Sequence, residues 1–210
     1  MSATLETKYE AVLSWEQSSA KAIARTVIKA HPISVWEVMI PFILIANHMR
    51  LAKTREICAQ NLLYTKKLAL EAARAMMREG QSRKAVMSRI EERTSSVLAS
   101  VDKGIYSEEI RRKQIEEMDL LIDHYCTLLE AEGEDYASLV MNGYRTQSNY
   151  TEFLGKLSEA EKQVTLAASK TLGTQTDPEK LSRMEESTER VRMAEVERIF
   201  GTKSPRQDAE

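Results

Sequence analysis

Glycine and proline are scarce in this chain, and their scarcity constrains the fold more than any other feature. The chain has 7 Gly and 4 Pro in 210 residues, and neither occurs between Pro41 and Gly80. Sandwiches, barrels and doubly wound sheets need a turn residue about every ten positions, whereas long helices joined by short loops need few. The sequence therefore predicts an all-α protein: an elongated antiparallel helical bundle or coiled-coil hairpin of about six helices.

Apolar spacing and capping residues set the predicted helix bounds. Apolar residues three and four positions apart mark one face of an amphipathic helix. Gly80, Gly104, Gly133 and Gly201 supply stops, and Ser107 supplies a cap. The fifth helix contains Gly143 and Gly155, which weaken its predicted continuity. The predicted helices span residues 5–30, 33–79, 82–100, 107–133, 135–172 and 178–200.

The chain also divides by composition and charge. Residues 50–89 hold ten basic and three acidic side chains, whereas residues 107–200 hold 12 basic and 20 acidic ones. The molecule is therefore expected to be electrically polar along its length. The predicted organisation is an N-terminal amphipathic helix (1–32), an apolar segment (33–49), a basic helical arm (50–104), an acidic helical bundle (105–200) and a disordered polar tail (201–210).

The apolar segment departs from the pattern of a soluble bundle. The nine residues from Val38 to Ala46 include no polar side chain, and a helix that is apolar all round must be enclosed by protein or by lipid. It would cover roughly 14 Å of a ~30 Å hydrocarbon layer. Its short length and a kink at Pro41 favour a segment that lies in the membrane plane or re-enters the same face over a helix that spans the membrane. The residues predicted to contact lipid or core are Trp36, Val38, Met39, Ile40, Pro41, Phe42, Ile43, Leu44 and Ile45.

Basic residues follow this segment directly. An anionic cytoplasmic leaflet attracts such side chains, each with about 1 kcal/mol near the surface. The same charge asymmetry would also let the basic arm lie against the acidic helices. The residues expected to face a membrane or a partner are Arg50, Lys53, Arg55, Lys66, Lys67, Arg74 and Arg78.

A search for catalytic chemistry finds little. No Gly-rich phosphate loop, Gly-x-Ser-x-Gly elbow or His-Glu-x-x-His helix is present, so no cofactor is predicted and we expect no enzymatic activity. The nearest metal-ligand candidates are Glu116, Asp119, Asp123 and His124, for which the commoner interpretation is a solvated carboxylate face. The basic stretch lacks interleaved aromatic residues, which argues against nucleic-acid binding.

The two cysteines and the aromatic residues have structural interpretations. Cys58 and Cys126 lie inside helical patterns and are predicted to be small buried hydrophobic residues in a reducing compartment. The first residues lack the pattern of a secretory signal. The predicted fifth helix carries an aromatic-rich patch that would pack against a neighbouring helix or bind a partner. The patch comprises Tyr136, Tyr144, Tyr150 and Phe153.

Three sequence stretches carry a resemblance: SVWEVMIPFILIANHM, LLEAEGEDYASLV and AEVERIF. With the basic helix between them, they resemble an uncharacterised group of bacterial helical proteins that have an apolar segment near the N-terminus. The resemblance extends over about residues 5–200. It implies membrane proximity, and it assigns no activity and no site residue.

Together these features predict a non-enzymatic bacterial scaffold or adaptor. It would lie in the cytoplasm, attached peripherally to the inner face of the plasma membrane through residues 35–49. Its helical stripes would hold a protein partner or a second copy of the chain. The alternative is a soluble helical homo-oligomer with residues 35–49 as its core helix, and a metal- or cofactor-binding helical enzyme is more distant.

Overall fold

The computed structural model describes residues 3–30, 51–100, 106–172 and 178–201. Within these ranges the chain forms seven α-helices and no strand, which confirms the all-α prediction. The helices are α1 (Leu5–Ala30), α2 (Leu51–Glu79), α3 (Arg83–Ser100), α4 (Glu108–Glu130), α5 (Tyr136–Tyr144), α6 (Gln147–Leu172) and α7 (Pro178–Phe200).

Capping residues place several helix ends where the sequence predicts them. The Ser107 hydroxyl accepts a hydrogen bond from the backbone N–H of Ile110 at 3.3 Å and so begins α4. The Ser82 hydroxyl accepts one from Ala85 at 3.2 Å and begins α3 in the same way. Each bond satisfies a backbone donor that the first helical turn cannot pair internally.

The predicted fifth helix is two helices, which corrects the prediction of one helix over 135–172. The break falls at Arg145, whose φ is 65°, and at neither glycine. Thr146 then accepts a hydrogen bond from the Asn149 N–H at 3.2 Å, and the Asn149 side chain donates to the Tyr144 carbonyl at 2.9 Å. These local bonds end α5 and begin α6.

Gly143 has a packing role instead. A Cβ atom built there would lie 3.1 Å from Cγ2 of Thr127 on α4. The absence of a side chain at this position therefore lets α5 pack closely on α4.

Side-chain contacts between the long helices show their relative directions. Glu6 of α1 pairs with Arg74 of α2 at 3.0 Å, and Glu16 pairs with Lys66 at 2.7 Å, so residue numbers rise along α1 as they fall along α2. The two helices are antiparallel. In the same way α4 is antiparallel to α6, because Glu109 lies 3.5 Å from Lys170 and the ring of His124 stacks on that of Phe153.

All seven helices contribute to one hydrophobic core. The N-terminal helix, the basic arm and the acidic bundle predicted from composition therefore pack together and not as separate units. An apolar stripe along α4 is buried, with each member at most 1% exposed. Its members are Ile110, Met118, Leu121, Tyr125 and Leu128.

The predicted apolar segment, from Trp36 to Ile45, lies outside the described residues, as do Arg50 and the tail after Gly201. Among the helices that the structure does describe, none combines the length and the apolar character that crossing a bilayer requires.

Arg145 provides a test of the observed break. A positive φ costs a residue with a Cβ atom about 1 kcal/mol or more, a cost that glycine does not have. We expect Arg145→Gly to have a free energy of unfolding about 1 kcal/mol higher than that of Arg145→Ala, measured by urea denaturation. Because the side chain is exposed, the alanine variant isolates the backbone effect. Equal stability of the two variants would contradict the positive φ, and an alanine variant more stable by about 1 kcal/mol would indicate a continuous helix through position 145.

Candidate functional site

A cavity of about 560 Å³ lies among the long helices and is the candidate functional site. Aromatic and aliphatic side chains form much of its wall, including Trp15, Leu121, Tyr136, Tyr150 and Phe153. Ionisable side chains from α1, α2, α4, α6 and α7 also line it. The buried or half-buried ones are Glu16, Lys66, Glu117, His124, Glu161, Arg192 and Glu195, and the exposed ones are Glu159, Lys162, Glu185, Glu186 and Glu189.

Lys66 and Glu16 form the ion pair that joins α2 to α1 inside the cavity. Lys66 Nζ lies 2.7 Å from Oε2 of Glu16, and the other oxygen of Glu16 accepts a hydrogen bond from the Tyr125 hydroxyl at 2.9 Å. Burial opposes the charged form of Lys66, but the Glu16 carboxylate outweighs it and raises the pKa of Lys66. The lysine is therefore a paired cation.

Arg192 supplies the second cation. One of its terminal nitrogens donates to Oε1 of Glu161 on α6 at 2.7 Å, and its side chain is 7% exposed. Burial opposes the charge here too, and Glu161 reverses the effect and raises the pKa of Arg192. Lys66 and Arg192 thus each have a carboxylate partner.

Glu195 is held by tyrosines and not by a cation. The Tyr150 hydroxyl donates to Oε1 of Glu195, and the hydroxyls of Tyr150 and Tyr136 lie 3.2 Å apart. Burial raises the pKa of Glu195, and the hydrogen bond from Tyr150 only partly offsets it. The result is a polar chain across α5, α6 and α7.

Glu117 is the least satisfied charged group in the cavity. Its side chain is buried on α4, and Oε1 accepts a hydrogen bond from the Thr65 hydroxyl at 3.4 Å. Among the described residues, Oε2 has no hydrogen-bond partner. Burial, and then the negative charge of Glu161, raises the pKa of Glu117 to about 8. At neutral pH this carboxyl is mostly protonated.

His124 lies among the residues of the predicted aromatic patch. Its ring stacks on Phe153 with centroids 4.2 Å apart, and Nδ1 lies 2.7 Å from the Tyr144 hydroxyl. Burial, and then the positive charges of Lys66 and Arg192, lowers the pKa of His124 to about 3. The imidazole is neutral, and the patch packs inside the core.

The structure separates the predicted metal-ligand candidates. Asp119 and Asp123 both bind Arg83 at the start of α3, with Arg83 Nε 3.0 Å from Asp119. Glu116 pairs with Arg112 and Lys113 on the surface, whereas His124 points into the core. In the described part of the chain, no group of three His, Cys, Asp or Glu side chains could hold a metal.

Of the basic residues predicted to face a membrane or a partner, some lie inside the protein and others on its surface. Lys66 turns inward to Glu16, which corrects the expectation that it faces a membrane or partner. Arg74 lies over the ring of Tyr9, 4.2 Å from its centroid, and pairs with Glu6. Arg55, Lys67 and Arg78 are exposed. The structure describes the backbone of Lys53 but not its side chain.

Both cysteines are free thiols. Cys58 is buried, as predicted, and its burial raises the pKa of the thiol to about 12. Cys126 is only half-buried, so the prediction of a buried residue holds for Cys58 and is too strong for Cys126.

Sequence reasoning missed the charged residues of the cavity, although they leave a signal. Glu16 lies four positions after Val12 and four before Ala20, which places it on the apolar face of α1. Glu117 lies four positions before Leu121 on the stripe of α4. A charged residue at an apolar stripe position is directed to the core.

Comparisons with protein-family models, with curated proteins and with solved structures find no match to this chain.

The raised pKa of Glu117 predicts a pH-dependent effect of Glu117→Gln. Between about pH 4.5, the ordinary pKa of the group, and pH 8, the folded state holds a proton that the unfolded state has lost. Wild-type stability therefore falls as pH rises through this window, whereas glutamine does not titrate. The free energy of unfolding of Glu117→Gln should rise relative to wild type by about 1.4 kcal/mol per pH unit.

Urea denaturation at pH 5, 6.5 and 8 measures this difference, and Glu116→Gln is the matched control. Glu116 is the adjacent residue and lies on the surface, where Lys113 first and Arg112 next lower its pKa. Its variant should show no such trend. Parallel stability curves for wild type and Glu117→Gln would contradict the protonated state of Glu117.

Proposed function

We propose that this protein is a non-enzymatic helical binding protein whose ligand, a small organic molecule with apolar and polar parts, occupies the cavity between α1, α4, α6 and α7. The observation that carries the proposal is the composition of the cavity: aromatic walls around buried ionisable groups. Ligand sites are typically concave and mostly apolar, with a few placed polar groups that orient the ligand.

The energetics of the buried charges support a binding role. Moving two ions out of water costs free energy that their mutual attraction repays only with good geometry. Glu117 and Glu195 have no cation within salt-bridge distance among the described residues, and burial raises the pKa of both. Groups with perturbed pKa values in a cavity are typical of functional sites, where burial and neighbouring charges shift them.

The size of the cavity also supports this function. Small-molecule sites are typically about 300–1,000 Å³, and the volume of about 560 Å³ lies within this range. Trp15 lines the cavity and stacks on Tyr136 with centroids 4.8 Å apart, so a ligand there would contact a fluorescent side chain.

Adjacent serines on α1 offer a matched test of the cavity. Ser19 lines it, whereas Ser18 is exposed outside it. We expect the neutral apolar dye Nile red to bind wild type, Ser19→Phe to weaken its affinity at least tenfold by occupying the volume, and Ser18→Phe to change it less than twofold. Dye fluorescence measures affinity, and circular dichroism verifies the fold. Lack of binding to wild type, or equal binding to both variants, would overturn the proposal.

A second role rests on the sequence of residues 35–49. We propose that this apolar segment and the exposed basic residues of α2 attach the protein to the cytoplasmic face of a bacterial plasma membrane. An elongated antiparallel bundle would then stand off the membrane as a scaffold for a protein partner or a second copy of the chain. The segment supports this role because its nine consecutive apolar residues connect α1 to α2, next to exposed Arg55.

Vesicle flotation tests the attachment. We expect the full chain to float with anionic vesicles at low salt and less at high salt, since salt screens the basic residues. The double variant Ile43→Asn/Leu44→Asn should stay in solution with an unchanged helical spectrum. A variant that instead unfolds would identify the segment as the core helix of a soluble oligomer, because buried amides without partners destabilise a core.

A further inference from the structure

Glu117 presents an unused acceptor to the cavity. Its side chain is 2% exposed, and Oε2 has no partner among the described residues. A buried carboxyl oxygen without a hydrogen-bond partner destabilises the fold in either protonation state, so native structures seldom retain one without a role. A ligand that donates to this oxygen would remove the deficit.

The charges of the cavity indicate which kind of donor is missing. Lys66 is engaged by Glu16, and Arg192 by Glu161, each pair at 2.7 Å. Glu117 and Glu195 remain, with hydroxyl donors and, among the described residues, no cation within salt-bridge distance. Fully ionised, the buried and half-buried groups other than the neutral His124 would be four carboxylates and two cations, and the exposed groups that line the cavity add four carboxylates and Lys162, so the site lacks positive charge and not negative charge.

The aromatic walls are also suited to a cation. Trp15 and Tyr136 stack with their planes 14° apart, and Tyr150 and Phe153 line the same cavity. The face of an aromatic ring attracts an ammonium group electrostatically, and most strongly where water is excluded. Trp15 itself is engaged by Tyr136 and by Arg198, whose guanidinium carbon lies 4.0 Å from the ring centroid, so the ring faces left to a ligand belong to the other aromatic residues of the wall.

We propose that the ligand of the cavity is a small organic amine, whose ammonium group donates to Oε2 of Glu117 while its apolar part lies against the aromatic walls. This inference rests on the proposed binding function and names the ligand class. A carboxylate ligand would place a further acidic group beside the four buried or half-buried ones, and Lys66 and Arg192 already have carboxylate partners.

Binding of the amine is then coupled to the release of a proton from Glu117. Glu117 faces Lys66 from α2, Glu161 from α6 and Arg192 from α7, and Glu16 of α1 lines the same cavity. Burial keeps the empty site protonated at neutral pH, and the arriving ammonium ion stabilises the carboxylate. One proton leaves Glu117 for solvent as one positive charge enters, so the net charge of the site is unchanged.

A matched series of compounds tests the ligand class. Phenethylamine, phenylacetate and 2-phenylethanol each combine a phenyl ring with a short chain that ends in an ammonium, a carboxylate or a hydroxyl group. We expect phenethylamine to displace Nile red from wild type at concentrations at least tenfold below those of the other two. Glu117→Gln should lose this preference, whereas Glu116→Gln should keep it. Titration calorimetry in two buffers should detect proton release with wild type only when the amine binds.

The outcomes separate the two proposals. Dye displacement by phenylacetate as strong as that by the amine would overturn the amine assignment and leave the binding function standing. If the dye binds the cavity and none of the three compounds displaces it, the amine assignment is likewise overturned and the binding function stands. A preference retained in Glu117→Gln would overturn the role of Glu117. Failure of the dye to bind wild type would overturn both proposals.

Discussion

The ion pair between Lys66 and Glu16 is the interaction on which the arrangement of the helices depends. It joins α2 to α1, and the second oxygen of Glu16 accepts from Tyr125 on α4, so one carboxylate connects three helices. A shift of α1 by one turn would leave a buried cation and a buried carboxylate unpaired, which costs far more than a changed apolar contact. The pair therefore adds a directional contact to the apolar packing of these helices.

The same interaction gives the cavity its charge balance. Because Glu16 and Glu161 each neutralise a cation, the partners left to Glu117 and Glu195 in the described part of the chain are hydroxyl groups. A core selected for stability alone would replace such carboxyls with apolar side chains. Their presence among aromatic residues is a local departure from the apolar pattern, and such departures are expected at functional sites.

The sequence predicts helices well where their ends are determined locally. The caps at Ser82 and Ser107 and the start at Pro178 involve residues a few positions apart, so the pattern contains the cause. The break at Arg145 could not be predicted in this way, because Gly143 and Gly155 are the obvious candidates and a residue with a side chain adopts the positive φ. Gly143 is explained only by the proximity of Thr127, a contact between helices.

The charged residues of the cavity were not predicted, because the net charge of a segment does not show which of its side chains are buried and which are exposed. Successive helical residues are rotated by about 100°, so Glu116 and Glu117 on α4 meet different surroundings: surface cations for one and the cavity for the other. Asp119, two positions further on, binds Arg83 of α3. The acidic excess of residues 107–200 is therefore not one solvated face. These acidic residues have separate roles, which depend on the side of the helix from which each side chain projects. A carboxylate that occupies a position of the apolar stripe is the kind that the sequence alone can identify as internal.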